Sequence, residues 1–402
     1  MKIVDIAESY SEHGGGVRTY VRHKLAAAAR HGHEMVIVAP GTHDREDVVE
    51  GGRIVWVRSF RSPFDSRYGL FTRAKAVHEV LDRENPDIVE GSSPWGGGFF
   101  ASSWEGDAKR VFVFHTDVVA VWPQTFFGAK LGFDRVDRWS APLWKMVRKL
   151  SSGYDATVVS GSWLARRLGE HGVDNARVVP FGIDKSGFSP RRRDDRIRQQ
   201  FLAQCGVAPD ADLLMVVSRL DPEKRIPTLL EAFKKASEKR RLGMVVFGRG
   251  SLERSLQRKI DRTPGVHLSG YVGDRDSMAI AMASADAFVH GSAAETYGLV
   301  VAEAVCAGVP VVVPDRGGAA ALAGPGYAET YQSGNARSCA DAIDRLLDRD
   351  RESLRSATTA AARRIGTMDD HFDRLFDLYG ELAGQPRTAD KTASRANLRV
   401  AV

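Results

Sequence analysis

The feature that most constrains this chain is an alternation. Short apolar runs rich in Val and Ile lie at residues 2–7, 34–39, 53–57, 87–90, 110–114, 155–160 and 177–179, and again at 212–218, 243–247, 266–268, 286–290 and 309–313. Between them lie segments of helical periodicity, such as 17–30 and 226–235. Each run is too short for a helix and too uniformly apolar for a strand wet on one face. Such runs suit parallel sheets covered on both sides. Strand–helix alternation then implies doubly wound α/β domains. The pattern runs twice, breaking at P-F-G-I-D-K-S-G-F-S-P (180–190), where Gly, Pro and Ser concentrate ahead of the basic run Arg191, Arg192 and Arg193. The expected domains are 1–184 and 185–368, followed by a helical segment at 369–384. The polar, aperiodic tail 385–402 reads as disordered.

The 402 residues are 43% hydrophobic, so core volume is not limiting. Charges of both signs make up 27%, which excludes global disorder. A net charge of +6 suits phosphorylated substrates, an anionic membrane surface or nucleic acid equally. No nucleic-acid module is present, and the basic residues are scattered rather than set between stacking aromatics, so no nucleic-acid partner is expected. Cys205, Cys306 and Cys339 lack metal-ligand spacing and read as reduced thiols of a cytoplasmic protein. Asp5 and Glu8 interrupt the first apolar run, which is a strand rather than a secretory signal. No apolar run is long enough to span a bilayer, so membrane contact would be peripheral.

Ligands of open parallel sheets bind at the carboxyl ends of the strands. The strongest signal there is G-S-A-A-E-T-Y-G-L-V-V-A-E-A-V-C-A-G-V-P-V-V-V, residues 291–313. A helix is expected to begin near Tyr297, with the amides of Tyr297, Gly298 and Leu299 free at its N-terminus to hold phosphate oxygens. Glu303 then sits in a helix otherwise made of Leu, Val, Ala and Cys, where an unpaired carboxylate is expensive. Two ribose hydroxyls would compensate it. Glu295, in the preceding loop, could accept hydrogen bonds from sugar hydroxyls. The alternative is that Glu303 pairs with a nearby Arg and that Glu295 is a solvated loop residue. A second signal, S-R-L-D-P-E-K-R (218–225), also joins a strand to a helix, and Arg219 and Lys224 could supply fixed cations to a leaving diphosphate. As an alternative it is an ordinary surface turn.

Weaker signals occupy other strand ends. H-G-G-G-V-R (13–18) brings backbone close to a ligand at Gly15 and Gly16, but it is not a dinucleotide fingerprint. His115 follows the run R-V-F-V-F, and Gly248 opens a turn after residues 243–247. Asp274-Arg275-Asp276 and Asp348-Arg349-Asp350 mimic a metal-binding D-x-D but adjoin helical segments, where Asp commonly caps. They are rejected as metal sites, and no metal is expected.

These residues, taken together, resemble the retaining glycosyltransferases of the GT-B fold, bacterial mannosyl- and glucosyltransferases and sucrose synthase-like enzymes among them. Glu295 and Glu303, spaced by seven residues and followed by A-G-V-P-V-V-V and Gly317-Gly318, carry the resemblance. S-R-L-x-x-x-K, the early G-G-G-V-R and V-V-P-F-G-I-D fall in the family's order. The match runs from Met1 to about Ala383. It implies two Rossmann-like domains facing across a cleft, an N-terminal acceptor domain, a C-terminal donor domain, and a last helix that crosses back to the first. It implies a hexosyl or hexuronosyl transfer from a UDP- or GDP-sugar to a hydroxyl acceptor, a lipid, glycan or small molecule. No cofactor is implied, the nucleotide-sugar being a co-substrate. Arg219 and Lys224 should hold the diphosphate, Glu303 the ribose and Glu295 the sugar. His115 should sit near the anomeric carbon, and Gly15 and Gly16 should face phosphate and acceptor. Tyr297 replaces a commoner Phe, Arg249 a commoner acidic residue, and Gly317-Gly318 leads to Ala rather than Glu, which leaves the donor base open. An inverting transferase with Asp117 or His115 as base is the alternative enzyme. A non-catalytic nucleotide- or lipid-surface binding protein on a degenerate transferase scaffold is the alternative outside enzymes.

Two stretches mix basic and aromatic residues. One holds Arg58, Phe60, Arg61, Phe64, Arg67, Tyr68, Phe71, Arg73 and Lys75. The other runs from Trp122, Phe126, Phe127 and Lys130 through Phe133 and Trp139 to Trp144, Lys145, Arg148 and Lys149. Such a mixture fits the headgroup region of an anionic leaflet, and a membrane-bound acceptor at the inner face of the cell membrane would follow. The competing reading is core aromatics with ordinary surface charges.

Overall fold

The computed structural model describes residues 1–12, 16–61 and 69–384. They divide into two compact units, one built from residues 1–116, 142–180 and 368 onward, the other from 117–141 and 181–367.

In the N-terminal unit the strands are β1 (Lys2–Ile6), β2 (Glu34–Gly41), β3 (Arg45–Val49), β4 (Gly52–Arg58), β5 (Phe60–Arg61), β6 (Gly69–Leu70), β7 (Ile88–Gly91), β8 (Lys109–Val113), β9 (Ala156–Val159) and β10 (Ala176–Val178). β5 and β6 pair only with each other; the rest form one sheet in the order β10-β9-β8-β7-β1-β2-β4-β3. All pairings in it are parallel except that of the edge strand β3 with β4. The C-terminal unit contains β11 (Asp212–Val217), β12 (Leu242–Phe247), β13 (Val266–Gly270), β14 (Ala287–Val289), β15 (Val311–Pro314) and β16 (Ala328–Tyr331), in the order β13-β12-β11-β14-β15-β16. Both sheets thus reverse direction once, between β1 and β7 and between β11 and β14, the strand order of the Rossmann fold. All twelve apolar runs are strands. β3 and β16, at the edges of their sheets, lack such a signal because few of their residues are buried: R-E-D-V-V has none and A-E-T-Y has two.

The helices bury apolar stripes against the sheets. The first, Gly16–Arg30, buries Val21, Leu25, Ala27 and Ala28, a helical spacing, and with them Lys24. The last, Met368–Leu382, places Phe372, Leu375, Phe376 and Tyr379 in the core of the N-terminal unit beside Val21 and Leu25. The chain passes from one unit to the other at 116–117, 141–142, 180–181 and 367–368, and Ile183 and Thr367 bridge near the last two crossings. The basic run is not a free linker: Arg193 donates to the carbonyls of Ala283, Ser284 and Ala285 at the end of the helix Arg275–Ala283.

One boundary differs from the sequence reading. Residues 117–141 lie between two strands of the first sheet in sequence, yet they pack in the C-terminal unit. Arg225, in the left-handed region at φ 50°, donates to the Gln124 carbonyl at 3.2 Å and to Ser333 Oγ at 2.8 Å. The guanidinium groups of Arg225 and Arg316 lie over the Phe133 ring. A buried arginine without a carboxylate partner takes carbonyls and a ring instead, and this segment supplies them. Cys205, Cys306 and Cys339 are buried and free. Among the described residues no helix is long and apolar enough to cross a membrane. The proposed disordered tail 385–402 lies outside the described residues.

Candidate functional site

In the C-terminal unit the two strands flanking the reversal point, β11 and β14, carry the strongest motifs at their carboxyl ends. After β11 the chain turns through Ser218 to Leu220 into a short 3-10 turn, Pro222–Lys224, ahead of the helix Ile226–Ser237. The turn is clasped by the one after β12: Leu220 N donates to the Arg249 carbonyl at 2.9 Å, and Asp221 accepts from the backbone and hydroxyl of Ser251. Gly248, at φ 138°, makes this possible, since a Cβ there would collide with the Ser218 carbonyl. Backbone packing by itself therefore requires glycine at this position.

After β14 come His290 and the loop to Glu295. Lys224 Nζ donates to Glu295 Oε1 at 2.6 Å, so the two motifs meet through their side chains. His290, buried at the strand end, puts Nε2 3.5 Å from the same oxygen. Burial alone would raise the Glu295 carboxyl, but the Lys224 charge and the His290 side chain outweigh it and hold the group well below the usual carboxylate range. Glu295 is therefore an ionised, positioned acceptor rather than a solvated loop residue. Its backbone is fixed as well: Gly318 N donates to the Glu295 carbonyl at 2.6 Å, and a Cβ at Gly318 would collide with the Thr296 carbonyl.

The helix begins at Leu299, not Tyr297, with Gly298 as N-cap at φ 95°. The helix-terminal amides therefore start two residues later than the sequence suggests. Tyr297 is buried with its ring edge-on to Phe181, 5.7 Å between centroids, which is packing. Leu299 is exposed in the first turn. Glu303 follows one turn later. Burial pushes its carboxyl up to about 7; Arg275 opposes this and Asp184 reinforces it. Arg275 approaches Glu303 Oε1 only to 3.6 Å, beyond hydrogen-bonding distance. The arginine partner foreseen as the alternative exists but does not satisfy the carboxylate.

Arg219 is brought to the same strand end but is 65% exposed, held by Asp221 at 3.1 Å and Glu223 at 2.8 Å. Exposed pairs of this kind are worth about 0–1 kcal/mol, so the guanidinium is easily released to a stronger anion.

The remaining residues belong to the N-terminal unit. Gly14 and Gly15 lie outside the described residues. Gly16 opens the first helix, and a Cβ on it would meet nothing within 4 Å, so packing does not require glycine there. His115 follows β8, its ring edge-on to Tyr20 at 5.6 Å. Burial and the Lys24 charge lower it to about 4 against the pull of Asp5, so it is neutral at pH 7. Tyr20 also meets His371 Nε2 at 2.9 Å, and His371 Nδ1 reaches the Pro180 carbonyl at 2.8 Å. A carbonyl accepts only, so Nδ1 carries the proton and Nε2 accepts from Tyr20. Asp117 is buried as the N-cap of the helix Val118–Val121, its Oδ1 accepting from the amides of Val119 and Ala120. That capping role accounts for a residue weighed as a general base. Asp274 and Asp350 likewise cap helices. Among the described residues no cluster of His, Cys, Asp or Glu is arranged to hold a metal.

Sequence reasoning missed His290, whose buried place beside Glu295 depends on strand pairing. It also missed Lys24, Asp5 and Glu90, a fully buried ion cluster in the N-terminal unit. The acidic residues inside strands were a usable signal. Of the basic–aromatic stretches, Trp122, Phe126, Phe127, Trp139 and Phe60 are exposed, whereas Phe71 and Trp144 are core. Phe64, Arg67 and Tyr68 lie outside the described residues.

Two family models match the chain in series: Glycosyltransferase Family 4 over residues 14–186 and Glycosyl transferases group 1 over residues 198–364. A GDP-mannose-dependent alpha-mannosyltransferase of Mycolicibacterium smegmatis is 29% identical over 333 residues, 81% of this chain and 82% of that protein. A GDP-mannose-dependent alpha-(1-6)-phosphatidylinositol dimannoside mannosyltransferase of Mycobacterium tuberculosis is 27% identical over 78% of this chain and 79% of its own. Sucrose-phosphate synthase from Thermosynechococcus elongatus shares the fold, with a TM-score of 0.75 at 18% identity over 95% of this chain and 99% of that one. So does Anabaena HepE, solved with UDP-glucose, with a TM-score of 0.70 at 17% identity over 95% of this chain and all of that one.

Proposed function

The chain belongs to the glycosyltransferases of the GT-B fold, with a family 4 and a group 1 glycosyltransferase domain in series, and on that premise we propose that it transfers mannose from GDP-mannose to a hydroxyl acceptor with retention at the anomeric carbon. The observation that carries the reading is the pair of carboxylates seven residues apart. Glu295 is ionised and aimed by Lys224, with His290 Nε2 nearby at 3.5 Å, and Glu303 is half-buried without a hydrogen-bonding cation. An ordinary structural carboxylate would be satisfied by the fold; Glu303 is not, and vicinal ribose hydroxyls donate what it lacks.

Lys224 and Arg219 then receive the diphosphate, together with the first amides of the helix Leu299–Cys306. Negative charge on the leaving diphosphate grows toward the transition state, so fixed cations act most strongly there. Glu295 accepts hydrogen bonds from the sugar hydroxyls. The bond from the anomeric carbon to the phosphate oxygen breaks as the acceptor oxygen bonds on the same face, and the acceptor's proton passes to the departing phosphate. GDP-mannose is chosen over UDP-sugars because the M. smegmatis and M. tuberculosis relatives are GDP-mannose-dependent by name. A lipid acceptor at the inner face of the membrane is supported by the second of these names and by the exposed rings of Trp122, Phe126, Phe127 and Trp139.

The test is a donor screen with GDP-mannose, UDP-glucose, UDP-galactose and UDP-glucuronate, with NMR of the product linkage. GDP-mannose consumption and an α-linked product are expected. A β-linked product removes retention, consumption of a UDP-sugar alone removes mannose, and consumption of none removes the reading. Flotation with vesicles containing anionic lipid checks the membrane reading. Binding should weaken when Trp122, Phe126 and Phe127 are changed to Ala.

A further inference from the structure

Lys224 has two claims on it. In this structure its Nζ donates to Glu295 Oε1 at 2.6 Å. In the reading above it also receives the diphosphate. A diphosphate carries more negative charge than one carboxylate, so the ammonium turns toward it and its bond to Glu295 weakens. Glu295 is then left ionised in largely covered surroundings, where an uncompensated carboxylate is costly. Another donor has to take the oxygen that Lys224 gives up.

His290 is placed to do so. Its Nε2 lies 3.5 Å from the same Oε1 and is buried with no hydrogen-bond partner. A lone pair on Nε2 would face the carboxylate oxygen and be repelled, so Nε2 carries the proton. The result is an unused N–H next to the carboxylate, and a buried donor left unsatisfied costs stability. The rest of the residue is fixed. Its amide donates to the Val312 carbonyl at 2.8 Å, and its carbonyl accepts from the Tyr331 hydroxyl at 2.8 Å. Its ring lies near-parallel to that of Phe288, with 17° between the planes. Gly291 comes next, and a Cβ there would collide with the Lys224 carbonyl. The strand end bearing His290 and the turn bearing Lys224 therefore meet closely at the backbone. A movement of about 0.5 Å, within reach of a small side-chain rotation, brings Nε2 to an ordinary bonding distance of about 3.0 Å.

We propose that His290 is a positioning residue for the donor sugar: as the diphosphate draws Lys224 away, the Nε2–H of His290 takes over Glu295 Oε1 and keeps the carboxylate turned to the sugar, with Oε2 left to accept from a sugar hydroxyl. The inference rests on the transferase reading and adds to it a hand-over between two donors. A histidine that only filled space would be replaceable by phenylalanine; the unused N–H separates the two roles.

The test uses the full chain with isotope-labelled histidine, read by NMR. The Nε2–H signal of His290 is identified by its loss in His290→Gln. Saturation with GDP should move that signal downfield and slow its exchange with water, as the bond to the carboxylate forms. In turnover, His290→Phe should lower kcat roughly tenfold or more, as lost alignment at a reacting centre does. GDP affinity, to which the sugar contact does not contribute, and the melting temperature should stay unchanged. His290→Gln, whose amide N–H stands near the place of Nε2, should recover part of kcat. A His290 signal that GDP leaves in place, or a folded His290→Phe with the kcat of the wild type, overturns the hand-over while the transferase reading stands. If the wild type neither binds GDP nor consumes a donor, the transferase reading falls and the hand-over with it. Should His290→Phe fail to fold, the response of the wild-type signal to GDP decides alone.

Discussion

Each unit holds a lysine set against carboxylates, and the two settings differ in access to water. In the N-terminal unit Lys24 is fully buried. It pairs with Asp5 at 3.2 Å and more closely with Glu90, which also accepts from Tyr379 of the last helix. Burial and the Glu90 charge push the Asp5 carboxyl up to about 6 despite Lys24. In the C-terminal unit Lys224 and Glu295 are only about four-fifths covered, at 16% and 20% exposure, at the carboxyl ends of β11 and β14. The sealed cluster ties β1, β7 and two helices together, leaving no opening for a ligand to replace a partner. The open pair can exchange one. The same chemistry thus acts as a structural joint in one unit and as a candidate site in the other.

The comparison breaks most severely at Lys24. Lys24→Met should lower unfolding free energy by about 3–5 kcal/mol, because it strands two buried carboxylates. Urea denaturation measures this. Adding Asp5→Asn and Glu90→Gln should recover much of the loss, since the uncompensated charges are gone. A single Lys24→Met change costing under about 1 kcal/mol would show that water reaches the cluster.

At the open pair the expected loss is catalytic. Lys224→Ala should reduce turnover roughly a hundredfold or more, with little change in urea midpoint, as for removal of a transition-state charge contact. Arg219→Ala should act in the same direction. Near-normal turnover of both at saturating donor contradicts the leaving-group role.

Glu303 sharpens the contrast because its two effects have opposite signs. Glu303→Gln should weaken GDP binding by about 1.5–3 kcal/mol, the worth of hydrogen bonds to a charged group. Its stability effect follows from a folded carboxyl raised to about 7 from an ordinary 4.5. The contribution such a group makes to stability is present below the ordinary value and is lost as pH rises through about 7. The Gln variant should therefore melt above wild type at pH 8 and together with it near pH 4. Thermal melts at the two pH values decide this; a lower melting point at pH 8 would mean that Arg275 compensates the carboxylate after all.

The smallest expected effect is none. Transfer should persist in excess chelator, because Lys224, Arg219 and helix amides are assigned the charge that a metal carries elsewhere. Loss of activity restored by magnesium or manganese defeats that assignment.

Much of this was legible from local patterns. The twelve apolar runs are strands because parallel sheets covered on both faces demand uninterrupted Val and Ile, a property of a few adjacent residues. Glu295, Glu303, Arg219 and Lys224 were singled out because ligands of such sheets bind at strand ends. Less legible were residues whose role depends on a distant partner. Gly248 drew notice as a possible ligand contact, and the backbone clearance it gives Ser218 was not visible in the sequence. Asp117 looked like a base and caps a helix. His290 gave no signal, since only the pairing of β14 and β15 buries it next to Glu295.

By itself, then, the sequence determined the repeating strand–helix order, the two-part organisation and the strand ends that carry the motifs, since all three follow from periodicity over a few residues. Only the tertiary structure decided that residues 117–141 join the C-terminal unit, that Lys24 is sealed while Lys224 is not, and that the buried Nε of Arg18 is left without a hydrogen-bond partner. The physical reason is that the cost of a charge depends on what surrounds it. Asp5, Lys24, Glu90 and Tyr379 are spread over nearly the whole chain, and their mutual compensation exists only once the fold has brought them together.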